Sequence, residues 1–182
     1  MYFALVNYPK IKDAGFHLFR NKYDSYSTLM PEHITFIFAV PQEIGREILE
    51  QHIQDVLQNW SPFKVHFCSI EKTWDHCMYL GAKEGRDAVV KLHDAFYEGI
   101  LQPYLRQDLP FDPHIGLGFF SNEDYDLNNP TAELTLDEDK YEQALKECKA
   151  QNFDFWCTID KLMLVEINAD FTQVNDLDEY LL

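Results

Sequence analysis

The sequence predicts an α+β fold, and three observations lead there. Strand-like and helix-like segments follow one another irregularly, with a hairpin between two helical stretches, which favours α+β over a doubly wound parallel sheet. A weak internal echo places Pro, then His-Ile, then an apolar strand in both Met30–Val40 (MPEHITFIFAV) and Phe111–Phe120 (FDPHIGLGFF). It suggests two related lobes, each with one histidine at the start of a strand. With 182 residues, 46% apolar and 15% aromatic, the chain can build one domain or two small lobes around one cleft.

Taken in order, Tyr2–Tyr8 reads as a strand closed by Pro9. Lys10–Lys22 carries a short helical pattern through Ile11, Phe16 and Phe19, and Tyr23–Glu32 is a polar loop. His33–Val40 is rich in β-branched and aromatic residues and reads as a strand. Pro41 suits the first turn of a helix, where no amide donor is needed. That helix runs to about Trp60, with Leu49, Ile53, Val56 and Trp60 at spacings that keep them on one face. Phe63–Ile70 and His76–Leu80 form the hairpin, turning at Glu71–Asp75. A second helix covers Glu84–Leu101, and Pro103 and Pro110 bracket the segment before the strand His114–Phe120. Ser121–Pro130 is an acidic loop. A third helix spans Asp137–Ala150, with Thr135 and Glu138 placed as a capping box. The last strand, Phe155–Asn168, breaks near Asp160–Lys161. The acidic tail 170–182 receives no element, and the whole of 1–182 is expected to form a single bilobal domain.

The echo carries the chemistry. Side chains alternate along a strand, so His33, Thr35 and Ile37 share one face, with Ile34, Phe36 and Phe38 on the core side. In the second copy His114, Gly116 and Gly118 share a face, opposite Ile115, Leu117 and Phe119. Glycine in a strand often marks close approach of a ligand or backbone, as expected of a strand lining a cleft. Two facing histidines suit metal-free phosphodiester chemistry: one takes a proton from the attacking oxygen and the other gives one to the leaving oxygen. A hydroxyl such as that of Thr35 can donate to a phosphate oxygen as charge builds there.

At these motifs, His33-Ile34-Thr35-Phe36 and His114-Ile115-Gly116-Leu117, the sequence resembles the two-histidine phosphoesterases, which include the 2′-5′ RNA ligase-like proteins and the cyclic phosphodiesterases. The resemblance covers most of residues 1–170. It implies a bilobal, pseudo-two-fold arrangement of antiparallel sheets with flanking helices around a central cleft. It also implies an enzyme acting on a 2′,5′-linked or cyclic phosphodiester of a nucleotide or short RNA end. His33 and His114 would be catalytic, with Thr35 and position 116 at the phosphate. Gly116 departs from the pattern, which usually has Thr or Ser there, so one hydroxyl is missing. The alternative is a non-catalytic protein holding a nucleotide or phosphorylated metabolite in the same cleft. Gly118, on the same face, favours reading Gly116 as space for a backbone or ligand rather than as a lost donor.

Fifteen Lys and Arg stand against 31 Asp and Glu, a net charge of −16. Long nucleic acid is gripped by clustered bases, and this chain has no such cluster, so a long duplex is not expected as a partner. Arg20, Lys22, Lys72 and Arg106 are the candidate cations for a small anionic substrate, and Tyr23 and Trp74 the candidate stacking residues for a base. No His-Glu-x-x-His or Cys/His spacing suggests zinc, so neither metal nor cofactor is expected. The other histidines, His17, His52, His66, His76 and His93, receive no role, with His52 and His93 expected in solvent. Cys68, Cys77, Cys148 and Cys157 form no C-x-x-C pair and read as reduced core thiols, although a bridge between Cys68 and Cys77 is conceivable. No apolar run approaches the ~18 residues of a membrane span, and the N-terminus has no signal-peptide pattern. A cytoplasmic monomer is expected.

Overall fold

The computed structural model describes residues 1–107, 110–122 and 134–182. Most of the acidic loop Ser121–Pro130 lies outside them. Two four-stranded antiparallel sheets carry the fold. The first has the order β2-β1-β7-β8, from Tyr2–Asn7 (β1), Ile34–Pro41 (β2), Lys161–Ile167 (β7) and Val174–Leu181 (β8). The second has the order β5-β4-β3-β6, from Phe63–Lys72 (β3), Cys77–Ala82 (β4), His114–Phe119 (β5) and Phe155–Ile159 (β6). The two histidine motifs therefore occupy matching places, each on an edge strand. No described helix is long and apolar enough to cross a membrane.

Helix α1, Ala14–Tyr23, starts where the Asp13 carboxylate accepts from the Phe16 amide at 2.9 Å. Phe16, Phe19, Arg20 and Tyr23 make its buried stripe. The helix predicted after β2 forms but does not start at Pro41. Pro41 closes β2, a 3₁₀ turn covers Gln42–Ile44, and Gly45 at φ +81° separates it from α2, Arg46–Leu57, which buries Leu49, Ile53 and Leu57. The second predicted helix is shorter too. Gly85 opens α3, Arg86–Phe96, at φ +80°, and a Cβ there would lie 2.2 Å from the Lys64 carbonyl oxygen, so only glycine fits. Glu98 is extended and Gly99–Tyr104 is 3₁₀, which leaves Ile100 exposed. Helix α4, Glu138–Gln151, is capped by Asp137, whose carboxylate accepts from the Lys140 amide, and not by the Thr135–Glu138 box.

The helices cross between lobes. Helix α1 precedes β2 but packs on β5, and α3 precedes β5 but packs on β2. One apolar cluster, including Phe16, Phe36, Phe67, Phe96 and Phe120, consequently spans both sheets. The break at Asp160 has a large consequence: β6 pairs with β3, whereas β7 pairs with β1 in the other sheet. The chain end returns as β8, so Asp170–Leu182 holds an edge strand. Its carboxylates are tied: Asp176 accepts from the Tyr8 hydroxyl at 2.8 Å, and Asp178 and Glu179 pair with Arg46 and Lys161. Charges along an exposed edge also discourage strand addition.

Bulges overturn part of the predicted alternation. The β1–β2 register slips twice around Ile37, so Ile37 is buried and Phe38 turns outward at 45% exposure. In β5 the register slips between Tyr79 and Met78, which keeps Gly118 beside the cleft while Phe119 turns to it and Phe120 enters the core. All four cysteines are free. Cys68 stands opposite Gly81–Ala82, at the far end of the hairpin from Cys77, so the conceivable bridge cannot form. His93 is buried and stacked on Phe111 at 3.7 Å, and His52 Nε2 lies 2.7 Å from the Phe96 carbonyl oxygen, to which it donates, so neither is simply solvated.

Gly118 is a packing device. A Cβ there would lie 2.9 Å from the Tyr23 backbone oxygen and Cβ, and 3.0 Å from the Phe120 ring. Gly118→Ala is expected to cost about 1–3 kcal/mol through overpacking, read as a lower midpoint in urea unfolding. An unchanged midpoint would show that α1 moves freely over β5.

Candidate active site

His33 and His114 line one cavity of about 340 Å³ between the two edge strands, together with Thr35 and Gly116. That volume is within the ~300–1,000 Å³ of small-molecule sites. His114 opens β5, and His33 stands one residue before β2. The four motif positions are thus brought together as the strand reading required.

Both imidazoles are held in the same way. His33 Nδ1 lies 2.9 Å from the Pro31 carbonyl oxygen, and His114 Nδ1 lies 2.6 Å from that of Asp112. A carbonyl can only accept, so each Nδ1 carries the proton. This leaves Nε2 of each ring as the atom free for acid–base work. Each Nδ1 thus turns back to the carbonyl two residues upstream, beside the proline of its motif.

The surroundings of the two rings differ. Burial pushes the His33 imidazole down to about 4, against the bond to Pro31, with the charges of Arg20 and His114 acting in the same direction as burial. His33 is therefore neutral near pH 7, ready to accept a proton. His114 packs against the Tyr79 ring at 4.7 Å. The Tyr79 hydroxyl donates to the Asp112 carboxylate at 2.9 Å, and Arg86 Nε holds the other oxygen of that carboxylate at 3.2 Å. The residue whose carbonyl orients His114 is thereby fixed by its own side chain. Burial and the two carboxylates Asp112 and Glu71 push the Tyr79 phenol up, so it stays a donor. Sequence reasoning missed this set; the signal available was Asp112 two residues before His114.

The cations are placed differently from expectation. Arg20 does line the cavity, but its guanidinium is buried and engaged by Asp24 at 2.8 Å, Glu32 at 3.6 Å and the Met30 carbonyl at 2.9 Å. It holds the segment that carries His33 and leaves its Nε without a partner. Lys22 pairs with Glu147, Lys72 sits over the Tyr141 ring, and Arg106 is exposed; none of the three lines the cavity. Tyr23 is buried against Phe19 and Phe120, and the exposed Trp74 also lies outside the lining. The aromatic wall comes instead from Tyr26, Phe119 and Phe171, beside Leu29, Met30 and Ile167. Asp24 and Asp75 complete the rim. Cys77 reaches the cavity as well, but burial, with Asp75 and Asp24, pushes its thiol up to about 12, which removes it as a nucleophile.

The space at the second motif differs between its two glycines. A Cβ at Gly116 would meet no protein atom within 4 Å. The expectation that Gly116 accommodates backbone approach is corrected: Gly118 does so, and Gly116 faces the open cavity.

The family model of the 2′-5′ RNA ligase superfamily matches residues 9–170. A search of curated proteins by sequence finds no match. Among solved structures, TT0787 of Thermus thermophilus is similar with a TM-score of 0.61 at 16% identity, covering 100% of this chain and 98% of that one. E. coli LigT complexed with 3′-AMP is similar with a TM-score of 0.56 at 14% identity, covering 100% and 96%. A structure described as a phosphoesterase gives 0.57 at 13% identity, covering 100% and 98%. At such identities these three likenesses speak for the fold.

Restoring the missing hydroxyl tests the site directly. Gly116→Thr is expected to fold as stably as the wild type and to raise kcat on a cyclic nucleotide by about tenfold or more, since a hydrogen bond to a charged group is worth roughly 1.5–3 kcal/mol. Gly116→Ala should leave kcat unchanged. Equal impairment of both variants would mean that the substrate itself fills the space.

Proposed function

We propose that this chain, which belongs to the 2′-5′ RNA ligase superfamily, is a metal-independent phosphoesterase acting on a 2′,5′-linked or cyclic phosphodiester of a nucleotide or short RNA end. The observation that carries the reading is the pair of imidazoles in one cavity, each with Nδ1 tied to a carbonyl and Nε2 left for the substrate. His33, held neutral by burial, takes a proton from the attacking water. The water oxygen bonds to phosphorus while one phosphorus–oxygen ester bond breaks. Protonated His114 gives its proton to the departing oxygen, and the product is a phosphomonoester. The Thr35 hydroxyl, which makes no hydrogen bond among the described residues, is placed to donate to a non-bridging oxygen.

Charge supports a diester over a monoester. Among the described residues Arg20 brings the cavity its guanidinium, already engaged by Asp24, and Asp75 lines the cavity as well. A singly charged diester meets less repulsion there than a doubly charged monoester, and the same imbalance favours release of the product. The apolar wall of Tyr26, Phe119 and Phe171 suits a base or ribose. LigT structures solved with 3′-AMP, ATP and NADP⁺ support a nucleotide ligand. Both histidines come from one chain, in keeping with a monomer, and four free thiols accord with the cytoplasm.

With a 2′,3′-cyclic nucleotide in EDTA, the wild type is expected to turn over, and His33→Ala and His114→Ala each to lose on the order of 10²–10⁴-fold in kcat. The base must be neutral, so kcat/KM should fall as pH drops through about 4, the value to which burial lowers His33. A bound phosphate anion favours the charged imidazole, so the acid limb of kcat should lie at higher pH than that of kcat/KM. Binding of the nucleotide without turnover would leave the non-catalytic reading in its place. Near-wild-type turnover in either alanine variant would remove that histidine from the mechanism.

A further inference from the structure

We propose that His66, Cys68 and Asp154 form a zinc site on the outer edge of the second sheet, away from the cavity. His66 and Cys68 stand two apart on β3 and so share one face. Asp154 immediately precedes β6, the edge strand paired with β3. One ring nitrogen, the Cys68 sulfur and an Asp154 oxygen all lie within 4.8 Å of one another. Asp154 Oδ1 is 2.8 Å from His66 Nε2, the nitrogen the ring offers to the metal, and Cys68 Sγ stands 3.9 Å from the ring's other nitrogen, Nδ1. Zinc bonds of ~2.0–2.3 Å imply ligand–ligand edges of roughly 3.3–3.8 Å in a tetrahedron. A shift of about 1 Å in the Cys68 and Asp154 side chains closes the widest of these separations. None of these residues lines the catalytic cavity.

The ring is held ready. It lies flat on Trp156, its neighbour across the β3–β6 ladder, with centroids 4.7 Å apart and 3° between planes. Its backbone is tied on the other side, where the His66 amide donates to the Glu84 carbonyl at 2.9 Å and the Lys83 amide donates to the His66 carbonyl at 2.8 Å. The Glu84 carboxylate meets Nδ1 at 2.7 Å. A carboxylate on the second ring nitrogen is how protein imidazoles that bind zinc are oriented and made more basic. Even a protonated His66 leaves one net negative charge between Glu84 and Asp154. A divalent cation neutralises that surplus and ionises the thiol beside it.

The donor set selects the metal. One nitrogen, one sulfur and one carboxylate oxygen are a mixture that zinc accepts, whereas calcium and magnesium demand oxygen alone. Three protein ligands leave a fourth position for water. Such an ion would clip β3, the start of β6 and the turn before α3 together. No sequence motif announces it, because the ligands come from separate segments and only His-x-Cys is contiguous.

The full-length protein, stripped by a chelator and dialysed, would be titrated with Zn²⁺ by calorimetry and with Co²⁺ by absorption. One zinc per chain is expected, with a sulfur-to-cobalt charge-transfer band in the near ultraviolet. Cys68→Ser should abolish the band and weaken zinc binding at least tenfold, while Cys77→Ser keeps both. Asp154→Asn should keep the band and weaken zinc at least tenfold. Glu84→Gln should weaken it about 10–100-fold, as loss of an outer carboxylate does. Circular dichroism would check that each variant is folded. No zinc uptake by the folded wild type, or an undiminished cobalt band in Cys68→Ser, would overturn the assignment. None of these readouts depends on what the cavity does.

Discussion

The end of α1 rests on the C-terminal end of β5, and the two lobes depend on that contact. Tyr23 reaches Gly118 so closely that no Cβ fits between them. The close approach sets the edge strand carrying His114 against the helix whose Arg20 anchors the segment carrying His33. The guanidinium of Arg20 bonds the Met30 carbonyl and pairs with Asp24 and Glu32, and the next carbonyl, that of Pro31, fixes the His33 ring. The backbone contact in the core and the tautomer of a cavity histidine are thus steps in one chain of packing. Burying a charged group is costly unless it is paired, and Arg20 has two carboxylates and a carbonyl. Its contacts hold the segment that carries His33.

The meeting of the two histidine motifs in one cavity was legible because each motif is local. Each histidine sits with its proline and its strand within a few residues, and the short-range pattern carried over directly into the cavity. The parts that were not legible depend on distance. Strand alternation assumed an unbroken ladder, and the slips around Ile37 and Leu117 are set by the partners β1 and β4. Lys22 and Lys72 were sought near the motifs, but each found a nearer partner in α4, Glu147 or the face of Tyr141. The aromatic wall uses Tyr26 and Phe171, which lie far apart in the chain and meet only because β7 crosses to the first sheet. The acidic tail hid a strand because its few apolar residues do not alternate: Leu177 and Tyr180 pack into the main cluster while Val174 packs into the smaller one, with the slip between Leu164 and Val165 lying between them.

The net charge of −16 looks unfavourable for an enzyme of phosphate esters, and the distribution resolves the conflict. The C-terminal carboxylates Asp176, Asp178 and Glu179 are bound to Tyr8, Arg46 and Lys161 on the strand edge. Surface charges separated by more than the ~8–10 Å Debye length are largely screened at physiological salt. What a substrate meets is the local set: two imidazoles, one engaged guanidinium and two rim carboxylates.

A near-symmetric frame here holds an asymmetric pair, and the asymmetry is what an acid–base mechanism needs. Two identical imidazoles would share one pKa, and the state with one neutral and one protonated ring would be only a fraction of the population. The lobes break that equality. His33 sits where burial and the Arg20 charge favour its neutral form. His114 is backed by the Tyr79 ring, whose hydroxyl is held by the Asp112 carboxylate. The hydroxyl follows the same division, present at Thr35 and absent at Gly116. The β2 side therefore holds both the neutral imidazole and a hydroxyl, and the β5 side keeps open room at Gly116.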